Sequence, residues 1–470
     1  MKAILKAFGA VVLSGAMALP VLADDSAPAT TSTNDSKDVK DLKKVVEDQG
    51  INYVETAQKG ITLSGYVDTS YTEQFGGKGT AFGSGQALLH QFDVNNNSFN
   101  VNAVKIALEK ALPSDNVWAA GFRIDTMYGQ DAKILSASDP VLGSAGSSVY
   151  LEQALVKVNI PVGNGLQIYM GKFVTLLGYE VIESPANPNF SRGLLFTNAI
   201  PLTNTGIYAD YKFNSTLEAK FGIVDGWNQS DSTPNAFPPP HVGNGTDLAN
   251  DYPFGGKAIT GQLVINAPGG NANITQSFIY SPSGEPANPG AISGTSAESF
   301  SGAPDDKDNG PVVVYDIWGN WNPTFVKDSA LTLGFNVDFG YNGASGAPVT
   351  EIFPGGTIVP GADVQDSNTW YGVALYSQYK LSKLITLAAR GEYLHEDSAF
   401  NPKFGVPGVS NDDFSETLTA SFNIWDNLLT RVEYRYDHLT NGSTGAFGGP
   451  NNVATYTNQD EVAVEAVYSF

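Results

Sequence analysis

The decapeptide EVAVEAVYSF, residues 461–470, sets Val462, Val464, Ala466, Tyr468 and Phe470 at every second position, with Glu461 and Glu465 between them. A period of two sends these two sets to opposite faces of a β-strand. The same alternation runs through ITLSGYVDTSY, residues 61–71. There Ile61, Leu63, Val67 and Tyr71 share one face, and Thr62, Ser64, Asp68 and Ser70 the other. Between these two stretches the pattern recurs at 104–110, 117–128, 154–160, 166–173, 206–213, 216–224, 258–266, 272–280, 312–321, 330–341, 370–380, 384–394, 416–424 and 428–437. Sixteen strands are expected, with fourteen or eighteen as the alternatives, since barrel strand counts are even when both termini lie on one side.

The connections alternate in length. PVGNG (161–165), NS (214–215), APGGN (267–271), NPTFVKDS (322–329), LSK (381–383) and WDN (425–427) are short, whereas 228–255, 281–310, 342–368, 395–412 and 438–455 are long. Stretches 76–97 and 129–148 are also read as loops. Short turns on one side and long loops on the other are expected of a transmembrane barrel and not of a soluble sandwich. The expected fold is therefore all-β: a single transmembrane antiparallel β-barrel of about sixteen strands. A short helical or disordered periplasmic segment precedes it. An alternating strand ending on an aromatic is how such barrels present themselves for assembly, so Tyr468 and Phe470 are the expected assembly signal and the barrel-assembly machinery an expected partner.

Composition agrees. The 470 residues include 50 Gly, 21 Tyr and 25 Phe but only 4 Met, which suits strands and turns. The mean hydropathy of −0.13 is what a barrel with alternating faces shows. With no cysteine, a disulfide framework, a thiolate metal site and a thiol nucleophile are excluded. A net charge of −22 argues against nucleic acid as a partner. At the N-terminus, Lys2 and Lys6 precede the apolar run Ala7–Leu19, then Pro20 and the small-residue stretch before Asp24. Residues 1–23 read as a signal peptide, because ~13 apolar residues cannot span a bilayer core of ~30 Å. Residues 24–60 read as a polar tether. Within it SKDVKDLKKVVEDQG places Val39, Leu42 and Val46 on one helical face. Residues 61–470 form the barrel, exported through the periplasm to the outer membrane of a Gram-negative cell, with its lipid as the surrounding partner.

Residues 171–202 read GKFVTLLGYEVIESPANPNFSRGLLFTNAIPL. Pro185 and Pro188 forbid a regular ladder, and Glu180, Glu183 and Arg192 lie among Tyr179, Phe190 and Phe196. A loop of this length and chemistry can fold into a barrel lumen and narrow it; the alternative is an outward loop. This stretch, with FRIDTMYGQDA before it and GIVDGWN after it, resembles the OmpL-like putative β-barrel porin family. The blocks that match lie within 121–228, and the architecture agrees from Ile61 to Phe470. The resemblance implies an outer-membrane barrel with a pore and no defined substrate.

Parity then assigns the lumen. If the apolar positions face lipid, their neighbours Lys105, Arg123, Lys157, Lys172, Lys212, Lys220, Arg390, Arg431 and Arg435 point inward. So do Asp68, Glu109, Asp125, Asp210, Glu218, Glu392, Glu433, Asp437, Glu461 and Glu465. A water-filled pore accommodates such charges and a soluble core does not. The pore-lining or constriction candidates are Lys105, Arg123, Asp125, Lys172, Glu180, Glu183, Arg192, Arg390, Glu392, Arg431, Glu433 and Arg435. Charges of opposite sign on adjacent strands can instead pair and plug the barrel. The near balance of the two inward sets places the acidic excess in the outer loops.

No GxSxG, HExxH or phosphate-cradling loop is present, and the four histidines, His90, His241, His395 and His438, read as solvated loop or strand-end residues. DDKDNG (305–310) lacks an acidic third ligand and reads as a solvated turn. No enzyme, cofactor or metal is expected. Passive diffusion of small hydrophilic solutes or ions is the expected function. A non-transporting surface barrel, an adhesin or envelope-structural protein, is the alternative, and a homo-oligomer is left open.

Overall fold

The computed structural model describes residues 60–76, 90–138, 146–226, 257–282, 311–343, 368–396, 411–440, 447–448 and 454–470. The expected signal peptide and nearly all of the tether, the loop histidine His241 and the turn at 305–310 lie outside the described residues.

The strands are β1 (Ile61–Gly76), β2 (Ser98–Lys110), β3 (Ala119–Tyr128), β4 (Val149–Ile160), β5 (Leu166–Val174), β6 (Thr203–Lys212), β7 (Leu217–Val224) and β8 (Ala258–Asn266). They continue with β9 (Ala272–Ser281), β10 (Val312–Trp321), β11 (Leu331–Asn342), β12 (Asn368–Lys380), β13 (Ile385–Glu396), β14 (Asn411–Trp425) and β15 (Leu428–Leu439). A two-strand hairpin, β16 (Phe447–Gly448) and β17 (Ala454–Tyr456), precedes β18 (Asn458–Ser469). Sixteen of them, β1–β15 and β18, pair with their sequence neighbours and close into one barrel. Every segment expected from alternation lies on one of these sixteen strands. Closure removes the open sheet edges that lipid would not tolerate.

Two features break the simple alternation. In β4 the pairing slips between Asp125 and Thr126, so that Glu152 and Gln153 are both buried. In β5, Gly171 at φ 134° turns the backbone so that Lys172 and Phe173 are both buried. A bulge re-aims side chains in this way, and a residue with a Cβ adopts such a φ only under strain. A third departure lies in 129–148, expected to be loop. Gln130–Ser138 is a helix, α1, whose Ala132, Leu135 and Ser136 at helical spacing are buried against the barrel wall.

The outer face carries the apolar half of the alternation. Leu63, Phe99, Ile106, Met170, Phe221, Phe339, Leu375, Leu418 and Val464 are all exposed. A water-soluble protein does not display such a surface, and a lipid-facing band requires it. No helix among the described residues is long and apolar enough to cross a membrane.

The seam joins β1 to β18 from Tyr66 opposite Ser469 to Gly76 opposite Gln459. At its lower end Gly65 and Phe470 exchange two backbone hydrogen bonds, of 3.0 and 2.9 Å. A Cβ at position 65 would lie 2.7 Å from the Phe470 ring, so glycine leaves the space that the ring occupies. Deleting Phe470 removes both bonds and the ring, a loss of about 1–3 kcal/mol. The expected result is a larger drop in the amount assembled in the outer membrane than in the stability of protein refolded in detergent. Wild-type amounts of the deletion variant in the outer membrane would count against Phe470 as the assembly signal.

Candidate functional site

Residues 175–202 leave β5, cross the interior and return to β6. The base of this excursion is pinned by the Thr175 amide donating to the Leu202 carbonyl at 3.0 Å. Its first limb runs along the wall of β8–β11. The Leu176 carbonyl accepts from Gln262 and Ser277, the Gly178 amide donates to Asp316, and the Tyr179 amide donates to Asn336. Its far end reaches the opposite wall, where Glu183 pairs with Lys105 of β2 and Ser184 donates to Glu465 of β18. Pro185 lies in a single 3-10 turn at this point, Ser184–Ala186, where a strand is barred. The return limb follows β15 to β12 and ends in the short helix α2 (Leu194–Asn198). Glu433 accepts from the Phe190 and Ser191 amides at 2.6 and 2.9 Å, and Trp370 donates to the Ala199 carbonyl at 3.2 Å. Leu194, Leu195 and Phe196 are buried with Phe173, Leu176 and Tyr208 in one apolar cluster.

The charged candidates cluster around this segment. Lys105 lies 3.2 Å from Asp125 and 3.0 Å from Glu152 and also pairs with Glu183, so one ammonium serves three carboxylates. Arg123 forks onto Asp125 at 2.9–3.0 Å and reaches Glu109 at 3.1 Å; Glu109 in turn pairs with Lys157. Arg390 holds Glu180 at 2.7 Å, Glu392 at 2.9 Å and the Ser191 carbonyl at 2.6 Å. Arg431 binds Glu465 at 3.1 Å and the carbonyls of Ser184 and Asn187 at 3.1 and 2.7 Å. Arg435 bridges Asp437 at 2.9 Å to the Arg192 carbonyl at 2.8 Å. Lys172 stands 4.6 Å from the centre of the Tyr150 ring. Every candidate is thus inside the barrel, and most of the charges are paired with each other, many through the inward segment. Arg192 is 1% exposed; its guanidinium donates to the carbonyls of Val181, Ile182 and Phe190 and lies over Phe92. It clips the segment to itself.

Lys212 lies at the end of β6 on the same face as Asp210, opposite the buried Glu218, and is exposed there. Absent from the expected lumen set are Glu152, hidden by the bulge, and Asp316 with Asp338, which face each other on β10 and β11. The alternation that points Val337 and Phe339 outward already points Asn336 and Asp338 inward. Among the described buried residues carboxylates outnumber Lys and Arg by about two to one, so the interior is acidic rather than balanced. His90, read as a solvated loop residue, is 5% exposed within the lumen.

Two carboxyls on the connections show how burial and charge compete. Burial alone would raise Glu183, but Lys105 beside it holds the carboxyl below the usual range. Burial pushes Asp131 of α1 up to about 7; Arg192 draws it down, and Asp93 and Glu465 add to the rise. Its Oδ1 has no hydrogen-bond partner. A raised folded-state value means that the protonated acid fits best, so this contribution is whole below the ordinary value of 3.8 and is lost as pH rises through about 7. The wild-type protein should therefore lose thermal stability relative to Asp131→Asn as pH rises from the ordinary 3.8 to about 7, with no further loss above that. Parallel pH profiles for the two proteins would refute the assignment.

A family model described as "Putative beta-barrel porin-2, OmpL-like" matches residues 60–470. The chain belongs to this family. Among solved structures, this OmpL-like porin is similar to the outer membrane channel DcaP of Acinetobacter baumannii, with 10% identity over 87% of this chain and 97% of that one and a TM-score of 0.51. It is similar to an anion-selective porin from Comamonas acidovorans, with 11% identity over 87% and 99% and a TM-score of 0.51. OprB of Pseudomonas putida aligns with 15% identity over 90% and 97% and a TM-score of 0.50. At these identities the likeness is one of fold. No curated protein matches the chain. The protein is a porin of the outer membrane.

Proposed function

We propose that this porin lets small hydrophilic solutes and ions diffuse across the outer membrane past a constriction built by residues 175–202, with a weak preference for cations. The observation that carries the reading is the inward segment itself, tethered to both walls of a sixteen-strand barrel. A barrel of that size otherwise encloses an aqueous channel. The acidic interior favours cations, and the acidic outer loops extend that field over roughly a Debye length of ~8 Å at physiological salt. Residues 1–23 direct export with cleavage before Asp24, residues 24–60 form the periplasmic tether, and the assembly machinery reads Tyr468 and Phe470.

A second reading, a surface barrel that carries no solute, draws on the pairing of the lumen charges with one another, Arg390 with Glu180 and Arg431 with Glu465 among them. Single-channel recordings in planar bilayers separate the two. Discrete conductance steps support the porin, and their absence in folded protein supports the inert barrel. Reversal potentials in a salt gradient should show cation preference that fades as salt rises. Strong anion preference would mean that the Lys and Arg side chains, not the carboxylates, set the field.

A further inference from the structure

The segment 90–94 returns toward β2 through the long-loop end of the barrel and lies against β15, β18 and β1. There His90 Nδ1 is 2.5 Å from Asp93 Oδ2 and 3.8 Å from Glu461 Oε2, and His90 Nε2 is 2.9 Å from Asp437 Oδ2. All four side chains are buried. We propose that His90, Asp93 and Glu461 bind one divalent transition-metal cation, and that Zn2+ suits the site.

The chemistry of the ring leads to this. With Nε2–H donating to Asp437, Nδ1 faces two carboxylates, which either a proton on Nδ1 or a metal cation held between the three groups offsets. Asp437 then plays the part of the outer carboxylate that orients a metal-bound histidine. One donor atom from each of His90, Asp93 and Glu461 lies within 4.8 Å of the other two. Tetrahedral zinc, with bonds of ~2.0–2.2 Å, sets its ligands about 3.3–3.5 Å apart. The observed 2.5 Å opens and the 3.8 Å closes by less than ~1 Å to meet that spacing. Mixed imidazole and carboxylate donors favour zinc over calcium or magnesium.

Two independent features point the same way. Asp93 Oδ1 and Gln74 Oε1 are buried without a hydrogen-bond partner, and the Gln74 amide already donates to Glu461. Such orphaned oxygens in a polar site are what a cation and its water satisfy. In charge, Asp93, Asp437 and Glu461 face Arg435, which binds Asp437 at 2.9 Å. Once a metal displaces the proton from Nδ1, the excess is two negative charges, the amount that a divalent ion cancels. The other buried carboxylate trio, Asp125, Glu152 and Glu183, makes the contrast, because the Lys105 ammonium already occupies its centre. Metal at His90 would pin the β1–β2 connection across the seam where the first and last strands meet.

The test is equilibrium dialysis of the full-length protein, folded in detergent, against ZnCl2, with metal analysis and a heat-modified gel shift as the check of folding. Wild type should retain one Zn2+ per chain. His90→Gln and Glu461→Gln should bind at least about tenfold more weakly, and His395→Gln, outside the site, should bind as wild type does. Co2+ should give a tetrahedral ligand-field band that His90→Gln lacks. Where a variant does not fold, Asp93→Asn, on the connection, replaces it. Failure of folded wild type to bind Zn2+, or wild-type affinity in folded His90→Gln, overturns the proposal.

Discussion

Excising residues 179–199 should raise the single-channel conductance several-fold and erase most of the wild-type selectivity. The junction is short. A Cβ at Gly178 would lie 2.4 Å from Ile200 Cδ1, so a small glycine linker joins the two ends without moving β5 or β6. The excised stretch carries the Tyr179, Glu183, Arg192 and α2 contacts that fill the lumen, whereas the barrel ladder does not use it. What remains is a sixteen-strand wall whose interior side chains regain water, the state in which barrels of this size conduct freely. Planar-bilayer recording gives the answer once the gel shift shows that the variant folds. Unchanged conductance in a folded variant would mean that residues 179–199 do not limit passage.

The second large effect is expected at Lys105. Lys105→Met leaves Asp125, Glu152 and Glu183 facing each other with their shared cation gone. Removing one partner of a buried ion cluster costs about 3–5 kcal/mol, because the remaining charges stay desolvated. The urea midpoint of the folded fraction should fall accordingly. Adding Glu183→Gln should restore part of the loss, since the two changes act on one network and do not add. Because Glu183 belongs to the inward segment, Lys105→Met should also make the channel noisier. Strict additivity of the two substitutions would show that the ammonium does not couple the segment to the wall.

The strands were the legible part of this chain. Alternation is a local signal, and each of 61–71, 258–266 or 461–470 carries it whole. The inward turn of 171–202 was legible as a choice between two directions. Prolines bar a ladder wherever the loop goes, but its direction depends on partners such as Asn336 and Glu465, far away in sequence. Glu152 was illegible for a different reason. A bulge shifts parity by one residue, and only the partner strand shows where the shift falls. His90 looked like an ordinary loop residue because its surroundings, Asp437 and Glu461, come from the other end of the chain.

The contact between Ser184 and Glu465 spans 281 residues. Those between the inward segment and Arg431 or Glu433 span more than 240. They sit on the last strands to be made, so the segment cannot lock until those strands are in place and the ring of strands is shut. Loop-closure entropy sets the same order, since such distant pairings form late. Biogenesis therefore passes through a moment when the wall is complete and the gate is still unfastened. A newly inserted molecule should be transiently leakier than a mature one, and the arginine ladder of Arg390, Arg431 and Arg435 sets how quickly that leak heals.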